Sequence, residues 1–213
     1  MGYGIKSETR RWPHLIVYEG DPEATVTRAL EIWSARLGCL TFRKAEKGEE
    51  AMFVISMGKS GSSVWRSGDT VNGRAPGKKG TLVIREGQAV GPSLHEIGHL
   101  LGLAHEQDRH DCEKAQNWAG EKIMPKPADY PQKDRFGDVV KARGVVQLDH
   151  AKYTTAVAGY EMLLKAANSK RDNYQNVGDF DPGSIMLYGN GSSGFANVSD
   201  GDVATVRLIN SWT

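Results

Sequence analysis

The chain has 213 residues, with 27 Lys and Arg against 26 Asp and Glu, and only two cysteines. A formal charge of +1 excludes a global electrostatic grip on nucleic acid or anionic lipid, so no nucleic-acid partner is expected. The length suits one domain that buries a core without staples, and Cys39 and Cys112 are too few for a disulfide-built scaffold.

The two cysteines allow one bridge or two free thiols. No run approaches the roughly 18 apolar residues of a membrane span, and the opening residues hold no long apolar stretch of signal-peptide kind.

Residues 12–19 predict a short strand. Asp21-Pro22 then predicts a helix start, with Asp as the cap and Pro in the first turn. Val26, Ala29, Leu30, Trp33 and Leu37 recur at helical spacing, and Gly38 ends the run. Residues 39–43 and 51–57 predict strands. The second is either an edge strand able to pair with an extended peptide, or an ordinary packed strand.

Residues 58–80, rich in Gly, Ser and Lys, predict a long loop or ragged edge strand. Gly58-Lys59-Ser60 is no phosphate loop, because the first glycine of that motif would stand where Phe53 does. Residues 81–85 predict a strand and residues 92–101 a helix. Residues 118–137 predict a loop. Residues 149–167 carry a helical pattern, with Tyr153, Val157, Tyr160, Leu163 and Leu164 on one face. That face needs burial, so the insert is expected to be ordered, as a lid or a surface elaboration. Residues 178–201 predict turns around 185–188. Residues 202–212 predict a last helix burying Val203, Val206, Leu208 and Ile209.

The chemistry concentrates in His95-Glu96-Ile97-Gly98-His99, continuing through Gly102 to His105. A helix puts His95 and His99 on one face, one turn apart. Two neutral imidazoles at that spacing suit one Zn²⁺, and Glu96 is placed to take a proton from water beside it. Continued helix would carry His105 roughly 9 Å along the axis and about 240° around it. Gly102 resolves this, because glycine tolerates positive φ and lets the chain turn back. Three histidines leave a coordination position open, which marks a catalytic zinc site. The apolar residues Ile97, Leu100, Leu101 and Leu103 suit a helix buried beneath a cleft.

The HExxHxxGxxH pattern is the zinc signature of the metzincins. Its extension through Glu106, Gln107, Arg109 and Asp111 resembles the astacin family. Ser184-Ile185-Met186-Leu187-Tyr188 is similar to that family's Met-turn, and Trp12-Pro13 to the start of its catalytic domain. Residues 58–68 resemble its Gly/Ser segment, and residues 198–202 the lead-in to its last helix. Tyr18-Glu19-Gly20-Asp21 resembles the aspartate switch of astacin propeptides. It follows Trp12-Pro13, inside the catalytic domain, and is read as coincidence. Leu187 departs from the family's usual His. The cysteines depart from its usual two disulfides.

The resemblance implies an α+β, metzincin-like bilobed domain over residues 1–213. An N-terminal lobe (1–102) would hold a mixed sheet with two helices. An irregular C-terminal lobe (103–213) would end in a helix. His95, His99 and His105 would bind one Zn²⁺, and Glu96 would be general base and then general acid. Tyr188 would ligate zinc at rest and bond the oxyanion during turnover. Met186 would floor the metal, and buried Glu106 would meet a new N-terminus once a propeptide is cut. The enzyme would be a secreted, monomeric endopeptidase acting on protein or peptide substrates, open to a propeptide or inhibitor as partner. The alternative is a zinc-stabilised binding domain without catalysis; intact Glu96 and Tyr188 favour the enzyme.

Overall fold

In the computed structural model of the chain, the described residues are 2–6, 8–60, 63–67, 72–74, 77–106, 109, 174–179, 181, 183–187 and 197–212. The insert at 118–165, Cys112 and Tyr188 lie outside them.

The chain opens on a short strand, β1 (Tyr3–Ile5), and a 3-10 turn at Glu8–Arg10. Five strands then build one mixed sheet: β2 (Leu15–Glu19), β3 (Thr41–Lys44), β4 (Phe53–Gly58), β5 (Val64–Arg66) and β6 (Gly80–Arg85). Their order is β3-β2-β4-β6-β5. All neighbours run parallel except β5, which is antiparallel to β6. β4 is therefore flanked by β2 and β6, which rules out the edge-strand reading of residues 51–57. Its backbone is committed to ladders on both sides. The open edge on this side is β5, inside the segment predicted as loop or ragged edge.

Helix α1 (Ala24–Leu37) makes the crossover between the parallel strands β2 and β3. It buries Val26, Ala29, Leu30, Trp33 and Leu37, the face its spacing predicts. Gly38 ends it at φ +69°, donating its N–H to Ser34 O at 2.8 Å. The start differs from expectation. Glu23, not Asp21, is the cap residue, and no side chain caps the helix. The chain leaving β2 first turns at Gly20, whose φ is +116° and where a Cβ would lie 2.3 Å from Ile55 O. Asp21 is left beside β3 and pairs with Lys44 instead.

Helix α2 (Val90–Leu100) packs on α1, and the Trp33 indole N–H donates to Leu94 O at 3.0 Å. Phe53, Ile55, Leu82 and Ile84 of the sheet share one apolar core with Leu94, Ile97 and Leu100 of α2. This bed carries the motif helix, as its apolar residues predict. Cys39 is a free thiol.

Beyond α2 the organisation changes. Strand β7 (Tyr174–Asn176) pairs antiparallel with β1. On its other side β1 meets the stretch after α2: Ile5 N–H donates to Gly102 O at 3.0 Å, and Ala104 N–H to Tyr3 O at 2.8 Å. Helix α3 (Asp200–Asn210) follows a capping box formed by Ser199 and Asp202. It starts two residues before the predicted Asp202. It buries Asp202, Thr205, Val206 and Ile209, while Val203 is half-buried and Leu208 is 57% exposed. Burial of Leu208 was the wrong expectation. Gly2, just before β1, and Gly4 within it press on Thr205, where a Cβ on Gly2 would lie 2.8 Å from Oγ1. That contact centres the inward face on residues 202, 205 and 209 and turns Leu208 outward. Among the described residues, no helix is long and apolar enough to cross a membrane.

Candidate active site

The end of α2 follows from its backbone hydrogen bonds. Leu103 N–H reaches back to Gly98 O at 2.9 Å, and Gly102 N–H to His99 O at 3.1 Å. These two bonds form a Schellman motif, with Gly102 at the position that needs positive φ. Gly102 takes φ +106°, and a Cβ there would sit 3.2 Å from both Ile209 Cδ1 and Ile5 Cγ2. The turn swings His105 back toward the helix it has just left, as the sequence predicts.

The three imidazoles converge as a result. One ligand atom from each of His95, His99 and His105 lies within 4.8 Å of the others. His99 Nε2 and His105 Nε2 are 3.1 Å apart. Two nitrogens bound tetrahedrally to one zinc at about 2.0–2.1 Å would be roughly 3.3 Å apart, so the spacing suits that ion. The rings are also oriented for it. His95 Nδ1 faces Ile185 O at 2.9 Å, and His99 Nδ1 faces Leu103 O at 2.9 Å. A carbonyl only accepts, so each Nδ1 is assigned the proton and each Nε2 keeps its lone pair for metal. Burial, then His105, pushes His95 down from 6.5 to about 3. Burial, His105 and His95 hold His99 well below 6.5. Both rings are therefore neutral at ordinary pH, the form that ligates. The residues present fit a zinc ion.

Glu96 sits between the first two ligands in sequence and turns toward the sheet. Its Oε2 accepts the backbone N–H of Trp65 at 2.8 Å. That donor belongs to β5, the open edge of the sheet. Burial raises the Glu96 carboxyl from 4.5 to about 8, against the pull of the Trp65 N–H. A carboxyl in that range can both take and return a proton near neutrality.

Against Gly98 on the motif helix lies Met186, buried to 1% exposure. A Cβ on Gly98 would lie 2.4 Å from its sulfur, so a side chain at 98 and Met186 cannot coexist unchanged. The turn that carries Met186 hangs from α3. Asp202 accepts from Ser184 Oγ at 2.6 Å and from Ile185 N–H at 2.9 Å. Ser184 Oγ in turn accepts Met186 N–H at 3.0 Å. Asp202 thus supports the peptide whose carbonyl orients His95.

Glu106 is fully buried, as the resemblance implies. Its Oε1 accepts Asp181 N–H at 2.8 Å and lies 3.4 Å from the buried Arg109 guanidinium. Burial raises it from 4.5 to about 8, opposed by the Asp181 N–H and Arg109. Arg109 also donates to Gly2 O at 2.9 Å and Gly178 O at 2.6 Å, tying the residues next to β1 and β7 to the end of the motif.

Residues 4–139, more than half of the chain, match the family model of Astacin, a peptidase family. The chain belongs to the astacin family. A curated relative, zinc metalloproteinase nas-36 from Brugia malayi, is 34% identical over 100 residues, which are 47% of this chain and 16% of that protein. The chain thus spans only a small part of the length of that relative. Among solved structures, myroilysin aligns over the whole of both chains at 14% identity with a TM-score of 0.52. The α+β fold is thus shared with a protein of very different sequence. High choriolytic enzyme 1, a hatching enzyme zinc-protease from Oryzias latipes, aligns over 96% of each chain at 16% identity and a TM-score of 0.49.

The motif placed His95, Glu96, His99 and His105 in one site. Tyr188 lies outside the described residues. Three neighbours of this site went unseen in the sequence. Trp65 acts through its backbone, so its side-chain type carries no signal. Asp202 is visible only as the fourth residue of a Ser-x-x-Asp cap pattern, which predicts a helix start and nothing about His95. Asn72 stands in a glycine-rich segment with no local periodicity.

Proposed function

We propose that this chain is a zinc-dependent endopeptidase hydrolysing protein or peptide substrates. The observation that carries this reading is the convergence of His95, His99 and His105 within 4.8 Å in a chain of the astacin family. The three histidines hold one Zn²⁺ and leave a position open for water or substrate. Zinc, when bound, acidifies water and polarises the scissile carbonyl. Glu96 accepts the proton of the attacking water and hands it to the leaving amine nitrogen. Tyr188 would hydrogen-bond the developing oxyanion and, at rest, would be a further residue holding the ion. Residues 1–213 act as a single catalytic domain, with 1–102 and 103–213 on either side of the substrate cleft, secreted and monomeric.

Glu96→Gln tests the proton-transfer role. The variant should retain stoichiometric zinc by metal analysis and lose about 10²–10⁴-fold in casein cleavage. Undiminished turnover would remove Glu96 from the mechanism. Chelation of wild type should abolish cleavage and added Zn²⁺ should restore it. Cleavage that survives chelation would reject the zinc reading.

A further inference from the structure

We propose that Asn72 is a positioning residue for the metal centre, fixing the carbonyl that orients His99. The proposal rests on the zinc reading above. Residues 72–74 form a strap across the C-terminal end of α2. Gly73 N–H donates to His99 O at 2.9 Å, and Arg74 N–H to Arg10 O at 3.0 Å. The Trp65 indole N–H donates to Gly73 O at 3.2 Å, and Asn72 N–H reaches the Tyr174 hydroxyl at 3.4 Å. Gly73 takes φ +80°, with room for a Cβ limited by Arg10 O at 3.2 Å. The strap is anchored to β5, to the segment before β2, to β7 and to the metal helix itself.

From this strap the Asn72 side chain points at the ligand. Its Nδ2 donates to Leu103 O at 2.6 Å and lies 3.1 Å from His99 Nδ1. Leu103 O is the acceptor of His99 Nδ1–H. A carbonyl has two lone pairs, and here one serves His99 and the other Asn72. The amide nitrogen and the protonated Nδ1 are both donors, so they do not bond each other. They converge on the shared oxygen. Leu103 stands in the turn between Gly102 and the buried Ala104, and among the described residues its carbonyl has no other side-chain partner beyond His99 and Asn72. Asn72 therefore holds that peptide plane at the angle that keeps His99 Nε2 aimed at the metal. Groups that orient a ligand histidine typically contribute about 10–100-fold to metal affinity.

The test compares zinc affinity with the stability of the metal-free protein. Asn72→Ala removes the donor. Asn72→Leu removes it while keeping the side chain branched at Cγ, and so covers the case in which the alanine variant folds poorly. Zinc dissociation constants come from competition with a chromogenic chelator, and thermal unfolding is followed in excess chelator. Both variants should bind Zn²⁺ about 10-fold or more weakly, with the metal-free unfolding midpoint close to wild type. Zinc affinity within twofold of wild type in a folded Asn72→Leu variant would overturn the proposal. So would a lowered midpoint with unchanged affinity, which marks a structural role alone. Failure of wild type to bind zinc would instead overturn the underlying zinc reading.

Discussion

His95 and His99 stand one turn apart on α2, yet they are held from opposite regions of the molecule. His95 is oriented from the C-terminal region. Its acceptor is Ile185 O, in a turn pinned by Ser184 and by the buried carboxylate of Asp202 on α3. His99 is oriented from the end of its own helix. Its acceptor is Leu103 O, inside the Schellman turn, with a neutral amide from the strap as the second support. The first support is ionisable and depends on how α3 packs. The second is uncharged and depends on the backbone geometry of one glycine. The same ligand type is therefore exposed to different perturbations on its two sides.

The largest effect should come from cutting the first support. Asp202→Ala removes the acceptor of Ser184 Oγ, Ile185 N–H and Ser199 N–H. It leaves the Ser184 and Ile185 donors buried, at a cost of about 3 kcal/mol or more in denaturant unfolding. Zinc affinity should fall with it. A variant of wild-type stability would show that α3 does not support the turn.

Glu106 sharpens the ionisable character of that region. Its folded pKa of about 8 stands above the ordinary 4.5. Between those values the unfolded chain has released the proton and the folded protein has kept it, so stability falls as pH rises through that window. Glu106→Gln abolishes this term. The difference in unfolding free energy between zinc-loaded wild type and variant should decline from about pH 4.5 to 8 by a few kcal/mol. Comparing loaded proteins cancels the histidine contributions. A flat difference would mean that Glu106 titrates normally.

On the other side, Gly102→Ala forces a side chain into φ +106° between Ile209 and Ile5. The expected cost is about 1–3 kcal/mol, with weaker zinc binding because His105 follows this turn. Unchanged affinity would separate the turn from the third ligand. The smallest effect belongs to Ser199→Ala, which removes the cap of α3 and should cost about 1 kcal/mol. Asp202 keeps its bonds to Ser184 and Ile185 in that variant, so zinc affinity should hold. A loss of affinity would show that the cap and the Met186 turn are one unit.

The parts of this architecture that were legible in the sequence are those encoded over short separations. Val26, Ala29, Leu30, Trp33 and Leu37 share a face because a helix repeats about every 3.6 residues. His95 and His99 meet for the same reason, and Gly102 announces a turn because other residues avoid its backbone conformation. Where a local signal had a competitor, reading failed. Asp21 is a good cap by type, but Lys44 takes its carboxylate. Leu208 looks like a core residue by type, but β1 decides which face of α3 is covered. The strands β1 and β7 are three residues each, too short to show a period of two.

The sequence by itself marked the candidate metal site: three histidines, the turn that brings them together and the family they mark. Only the tertiary structure decided what holds that site in shape. The edge donor Trp65 lies 31 residues from Glu96, and Asn72 27 residues from His99. The acceptor for His95 comes from 90 residues downstream. The interior place of β4 was settled by pairing with strands on both sides. Contacts over such separations leave no repeat in the chain. They depend on which surfaces the apolar core brings together, and a single side-chain type at one position does not state its partner.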